Sequence, residues 1–159
     1  MQEFYNNIRI CPIAKFLELK INVPVIMSTS YQPPNEINTL DSCLVLEYDD
    51  VDIPLDGRSI TESDCKRAAD FIINHDIKKD ILYCCCDSGI SRSSAIAAAA
   101  ARYYELDDML IWGNPHYSPN ALVYSMMCDA LGRTIEDYEL DFRISVNRKA
   151  LSFAIRSKR

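Results

Sequence analysis

The sequence predicts an α/β fold built on a mostly parallel sheet, and three observations carry that prediction. Short β-branched, apolar runs alternate along the chain with segments of helical pattern, the order expected of strand–helix–strand units. One run, residues 81–85 (ILYCC), lacks polar alternation, as suits a strand buried on both faces. The segment after it, residues 91–105, is alanine-rich (AIAAAAARYY), which favours helix and lets neighbouring backbones approach closely.

The elements follow in order. Residues 22–27 (NVPVIM) and 43–48 (CLVLEY) are apolar, β-branched runs bounded by turn residues, hence strands. Between them SYQPPNEIN is rich in Pro and Asn and reads as loop. The second strand runs into an acidic stretch with Asp49, Asp50, Asp52 and Asp56, interrupted by Pro54 and Gly57, which excludes a helix interior. Ser59-Ile60-Thr61-Glu62 has the S-x-x-E form of a capping box and opens a helix to about His75, its apolar face made by Ala68, Ala69, Ile72 and Ile73. From Asn120 the pattern is helical to the end, with a break near Gly132.

Composition bounds the rest. A chain of 159 residues that is 48% apolar suits one domain with its own core, and no run approaches the length of a membrane helix. Its net charge of −6 disfavours nucleic acid as a partner, and nothing points to a membrane. The opening residues lack a charged-then-apolar signal peptide. The seven cysteines are an odd number, without a C-x-x-C pair or a Cys/His cluster, and His75 and His116 stand apart. That pattern gives no metal site and reads as reduced thiols in the cytoplasm.

Strand 81–85 meets the alanine-rich helix through Cys86-Asp87-Ser88-Gly89-Ile90-Ser91-Arg92-Ser93. A strand, a tight loop and a helix start make an anion site, because unpaired N–H groups and the helix dipole converge there. Gly89 suits a positive φ or a close ligand approach. Arg92 supplies a planar fork for two phosphate oxygens, and the same field favours a thiolate at Cys86, a nucleophile for phosphoryl transfer.

This C-x5-R segment, with GISRS around the arginine, resembles the cysteine-dependent protein tyrosine phosphatases, in particular their small dual-specificity branch and its compact bacterial-type members. KRAADFI at residues 66–72 is similar to the helix that precedes the signature strand in that branch. Ser118-Pro119-Asn120 is similar to its S-P-N before a late helix. The likeness spans residues 20–132; the first 20 and last 25 residues match nothing in it. A low-molecular-weight phosphatase or arsenate reductase would place its motif near the N-terminus, away from residue 86.

The resemblance implies a central, mostly parallel sheet of four to five strands flanked by helices. It implies phosphomonoester hydrolysis, on a phosphorylated protein or small phosphomonoester, without cofactor or metal. Cys86 would form a cysteinyl-phosphate, and the loop Asp87, Ser88, Gly89, Ile90 and Ser91 with Arg92 would hold the phosphoryl group. Ser93 would assist thiolate departure, and Asn120 would support the loop, an alternative to its serving as a helix cap. The general acid would lie thirty to forty residues before the cysteine. Alignment of the strand end selects Asp50, with Asp49, Asp52 and Asp56 in the same range.

Two departures from the family pattern stand out. Cys85 replaces the usual histidine, and Asp87 sets a carboxylate beside the phosphate site unless it turns outward to solvent. The alternative reading is therefore an inactive phosphate- or phosphoprotein-binding relative. Cys84 and Cys85 read as core thiols, with a resolving role toward oxidised Cys86 as a further expectation. Arg143, Arg148, Lys149, Arg156, Lys158 and Arg159 give the tail a basic character with no acid among them. Such a face either is solvated or meets an acidic partner or an anionic substrate.

Overall fold

Five strands, β1 (Gln2–Phe4), β2 (Ile8–Pro12), β3 (Val25–Thr29), β4 (Cys43–Glu47) and β5 (Leu82–Cys86), form one sheet in the spatial order β1-β2-β5-β3-β4. The computed structural model describes the backbone of residues 2–4 and residues 7–158. Strands β2 to β4 and β5 run parallel, and β1 joins the edge antiparallel to β2. The helices are α1 (Ile13–Glu18), α2 (Glu62–Ile73), α3 (Arg92–Tyr103), α4 (Met109–Trp112), α5 (Ala121–Ala130) and α6 (Asp137–Ser157), with a 3-10 turn over Asn35–Thr39. This is the α/β arrangement expected. No helix among the described residues is long and apolar enough to cross a membrane.

The period of two along the strands sorts side chains into two cores. Ile8, Ile10, Ile26, Leu46, Leu82 and Cys84 face the larger one, shared with the alanines of α3 and with α2 and α5. Cys11, Val25, Met27, Tyr83 and Cys85 face the smaller one, closed by Ile13 and Phe16 of α1. All five residues of β5 are buried, as a central parallel strand requires. Ten residues of α3, Arg92 to Ala101, are buried as well. Six of these are alanines, which is how a helix fits directly under a sheet and between α4 and α5.

Several boundaries differ from the sequence reading. The first strand predicted over 22–27 forms at Val25–Thr29, since Pro24 cannot join the ladder with an N–H. Helix α2 begins at Glu62, not at Ser59: its box is closed by Thr61 and Asp64, each side chain accepting from the other's backbone N–H. Ser59 instead bonds with the Leu55 backbone, accepting from its N–H and donating to its carbonyl at 3.0 Å. The stretch read as loop contains the 3-10 turn, and the first 20 residues, matched to nothing, supply two strands and α1. The break near Gly132 is present, with that glycine at φ 68° between α5 and α6.

Because four strands are parallel, their carboxyl ends share one edge of the sheet. The segments after β3, β4 and β5 therefore converge there, where ligands bind in open α/β sheets.

Candidate active site

Cys86 ends β5 on the same side as Leu82 and Cys84, and is 1% exposed. Its sulfur accepts the Gly89 N–H at 3.2 Å and is hydrogen-bonded to the Ser93 hydroxyl at 3.1 Å. Gly89 needs its identity twice. Its φ is +69°, and a Cβ there would lie 2.5 Å from the backbone N of Pro12. The close approach is thus to the end of β2 rather than to a ligand. Helix α3 starts at Arg92, and its N-cap Ser91 makes no side-chain cap, so the first-turn N–H groups keep their anion-binding capacity. Ser94 instead donates to the loop carbonyls of Ile90 (2.6 Å) and Ser91 (3.0 Å). Ser88 and Ile90 are exposed at the loop crest.

Arg92 is 5% exposed and folds beneath the loop. Nη1 donates to the Tyr48 carbonyl (2.7 Å) and the Ser30 hydroxyl (2.9 Å), and Nη2 to Asp87 (2.7 Å). The guanidinium lies 5.9 Å from the centre of the Tyr48 ring. Its Nε is buried with no partner among the described residues. Tyr48, Ser30 and Thr29 are the parts that sequence reading missed. They sit at the ends of β3 and β4, and strand-end position is the only signal that marks them.

Asp87 turns inward. Its carboxylate accepts from the Thr29 hydroxyl (2.6 Å) and the Ser30 N–H (3.1 Å) besides Arg92. Burial pushes its carboxyl up, but the Thr29, Ser30 and Arg92 donors outweigh that and hold it below the usual carboxylate range. The solvent-facing orientation does not occur.

The four aspartates after β4 separate by their partners. Asp49 bonds to Arg58 Nε at 2.9 Å, and that guanidinium, with Ser30, holds its carboxyl below the usual range. Asp50 reaches the loop after β5, its Oδ1 accepting from the Ser91 hydroxyl and from Asn120 Nδ2, each at 2.8 Å. Asp52 and Asp56 are exposed. Asn120 acts on both sides at once. Its backbone N–H donates to the Ser91 carbonyl (3.3 Å), its Nδ2 also to the Val51 carbonyl (3.0 Å), and its Oδ1 caps α5 through the Val123 N–H. The Ser118 N–H adds a bond to Ile90.

The other cysteines are free and occupy other places. Cys84 lies in the large core, where burial pushes its thiol upward; burial likewise pushes Cys65 and Cys128 up to about 12. Cys85, on the opposite face from Cys86, has its sulfur 3.6 Å from that of Cys11. Trp112 packs edge-on against Tyr124, ring centres 5.1 Å apart.

No family model matches the sequence, and no curated protein sequence matches it. Solved structures do. The chain superposes on the human tyrosine phosphatase-like serine/threonine/tyrosine-interacting protein with a TM-score of 0.55 at 17% identity, over 89% of this chain and 97% of that one. Looser matches are PTPMT1 (TM-score 0.46, 13% identity, 94% and 95% covered) and human DUSP28 (0.43, 13%, 91% and 87%). The match at a TM-score of 0.55 shows that the chain has a tyrosine phosphatase-like fold.

Proposed function

We propose that this protein is a phosphomonoester hydrolase of the tyrosine or dual-specificity phosphatase type, working through a cysteinyl-phosphate on Cys86. The observation that carries the reading is the convergence of the Gly89 N–H and the Ser93 hydroxyl on the Cys86 sulfur, beside an arginine whose buried Nε has no partner among the described residues.

The reaction has two steps. Cys86 sulfur attacks phosphorus, the ester P–O bond breaks, and Asp50 gives its proton to the leaving oxygen. Water then attacks phosphorus, Asp50 takes the water's proton, and the P–S bond breaks while the Ser93 hydroxyl donates to the departing sulfur. Charge in the loose transition state spreads over the equatorial oxygens, where the amides of Asp87 to Ser91 and Arg92 stabilise it. Asp50 is the aspartate in hydrogen-bond contact with the loop, through Ser91. Asp49 is tied up as a carboxylate by Arg58.

A second reading, a phosphate- or phosphoprotein-binding module without turnover, is favoured by the Asp87–Arg92 ion pair, which occupies one guanidinium nitrogen. Turnover of p-nitrophenyl phosphate decides. Hydrolysis by the wild type that disappears in Cys86→Ser supports the enzyme. Phosphate binding without hydrolysis supports the module.

A further inference from the structure

Helix α6 spans 21 residues, about 31 Å, and packs on the rest of the chain by one side only. Two anchors fix its rotation. Arg143 grips Asp108 with two bonds of 2.9 Å, and the pair is nearly enclosed, at 11% and 5% side-chain exposure. One turn on, buried Asn147 donates to the carbonyls of Trp112 and Tyr117, both at 2.9 Å. At about 3.6 residues per turn, the side turned away from these anchors carries Tyr138, Phe142, Phe153 and Ile155. All four are exposed, Phe142 at 60% and Phe153 at 75%, and they are four of the nine large exposed apolar side chains among the described residues. Apolar area gathered on one face in this way marks an interaction surface.

Charge along α6 is segregated by position. The acids Asp137, Glu139 and Asp141 lie in its first turns, and Arg148, Lys149 and Arg156 in its second half. Glu139 is drawn toward Arg102 at 3.7 Å. Asp141, Lys149 and Arg156 make no ion pair among the described residues. A groove of about 690 Å³, lined by α6 alone, runs along the exposed side from Asp141 to Arg156 with the small Ser145 and Ser152 in its lining. The pattern is symmetric about its own middle. Phe142 and Phe153 each lie five residues from the Asn147–Arg148 link, one on either side, and Asp141 and Arg156 bracket the same point. Such a face is complementary to itself turned end for end.

We infer that this side of α6 is the interface of a two-fold dimer, occupied by the same helix of a second copy running antiparallel. Phe142 of one copy packs beside Phe153 of the other. Asp141 of one lies between Lys149 and Arg156 of the other, and Ser145 and Ser152 let the two backbones approach. A parallel pairing would set acid on acid and base on base, so the charges select the antiparallel one. Arg148 and Lys149 approach their own copies near the axis, but both are exposed and long enough to keep their charges in water. One helix pair is a small interface, which makes the dimer reversible and dependent on concentration. The inference stands apart from the phosphatase reading and does not need Cys86.

The test is sedimentation velocity of the full chain over a roughly hundredfold range of concentration. The wild type is expected to pass reversibly from monomer to dimer, and Phe142→Ser and Phe153→Ser should each weaken the dimer about tenfold. Both side chains are mostly exposed, so far-UV circular dichroism should not change. Charge reversal tests the direction. Asp141→Arg alone and Arg156→Asp alone should each weaken self-association about threefold. An equimolar mixture of those two variants should restore it, because each then meets the opposite charge at both contacts. A wild type that stays monomeric, a dimer indifferent to Phe142 and Phe153, or a mixture no tighter than either variant alone overturns the inference. So does a monomer that binds anionic phospholipid vesicles through the same aromatics, which would give the face to a lipid surface.

Discussion

Two loops meet at the carboxyl edge of the sheet, one after β5 and one after β4, and they differ in how much of each is buried. The β5 loop is closely packed: a left-handed glycine against Pro12, carbonyls accepting from the Ser94 hydroxyl and from the Ser118 and Asn120 N–H groups, and an arginine buried beneath it. Its shape is over-determined, as a site that stabilises developing charge must be. The β4 loop has backbone bonds of its own, from the Asp49 N–H to the Arg58 carbonyl (2.7 Å) and from the Arg58 and Ser59 N–H groups to the Leu55 carbonyl. It adds side-chain bonds from Arg58 to Asp49, Ser59 to Leu55, and Ser91 and Asn120 to Asp50. Arg58 and Asp50 are exposed, Asp49, Ser59 and Ser91 half-buried, and only Asn120 is buried. The proposed phosphoryl cradle thus stands beside the proposed acid, Asp50, an exposed residue bonded to the β5 loop through Ser91.

Substitutions sharpen the comparison, beginning with the largest effect. In the β5 loop, Cys86→Ser removes the nucleophile, and kcat for p-nitrophenyl phosphate should fall on the order of 10⁶-fold. In the β4 loop, Asp50→Asn should lower kcat by about 10²–10⁴-fold, with Asp49→Asn and Asp52→Asn nearer wild type. Normal activity in Asp50→Asn above pH 6 would move the acid elsewhere and break the pairing of the two loops.

Rigidity itself is tested by Gly89→Ala, where a positive φ and a backbone clash coincide. About 2–3 kcal/mol of stability should disappear, read from urea unfolding. Gly57→Ala, in the β4 loop, has a similar φ of +70° but nothing within 4 Å of the added Cβ, so it should lose less. Equal losses at the two sites would deny the difference in packing.

Asp87 links the charge of the two regions, since it sits on the arginine that also bonds to Tyr48. Asp87→Asn frees part of Arg92 and should tighten inhibition by phosphate or vanadate about threefold. Weaker inhibition would mean that Asp87 positions the guanidinium more than it competes for it. The smallest effect concerns pH. The folded-state carboxyl of Asp87 is held below its ordinary value, so its contribution to stability is present above about pH 4. That contribution is lost as pH falls through the lowered value. Asp87→Asn should therefore flatten the acid limb of a Tm-against-pH curve.

How much of this was legible varies with the source of the information. Strand β5, helix α3 and the register of Cys86, Gly89, Arg92 and Ser93 are local: apolar run, spacing and alanine content place them within a residue or two. The start of α2 was misplaced because Ser59 and Thr61 both open plausible boxes. The choice depended on Ser59 being drawn into the turn at Leu55. Strand β2 and α1 escaped notice because IRICP carries a proline and a short pattern; pairing with β5 makes that segment a strand.

The sequence by itself determined where the loop from Cys86 to Arg92 lies, since so few residues between a buried strand and a helix leave little conformational choice. It also determined that seven cysteines do not form a paired set. Only the tertiary structure decided which cysteine faces which core, because that depends on the period-two parity of β5 between two layers. Only the tertiary structure turned Asp87 onto Arg92 and set Asp50, rather than its three neighbours, against Ser91 and Asn120. Those contacts join residues 41 to 70 positions apart, or depend on donors from β3, and no local spacing encodes them.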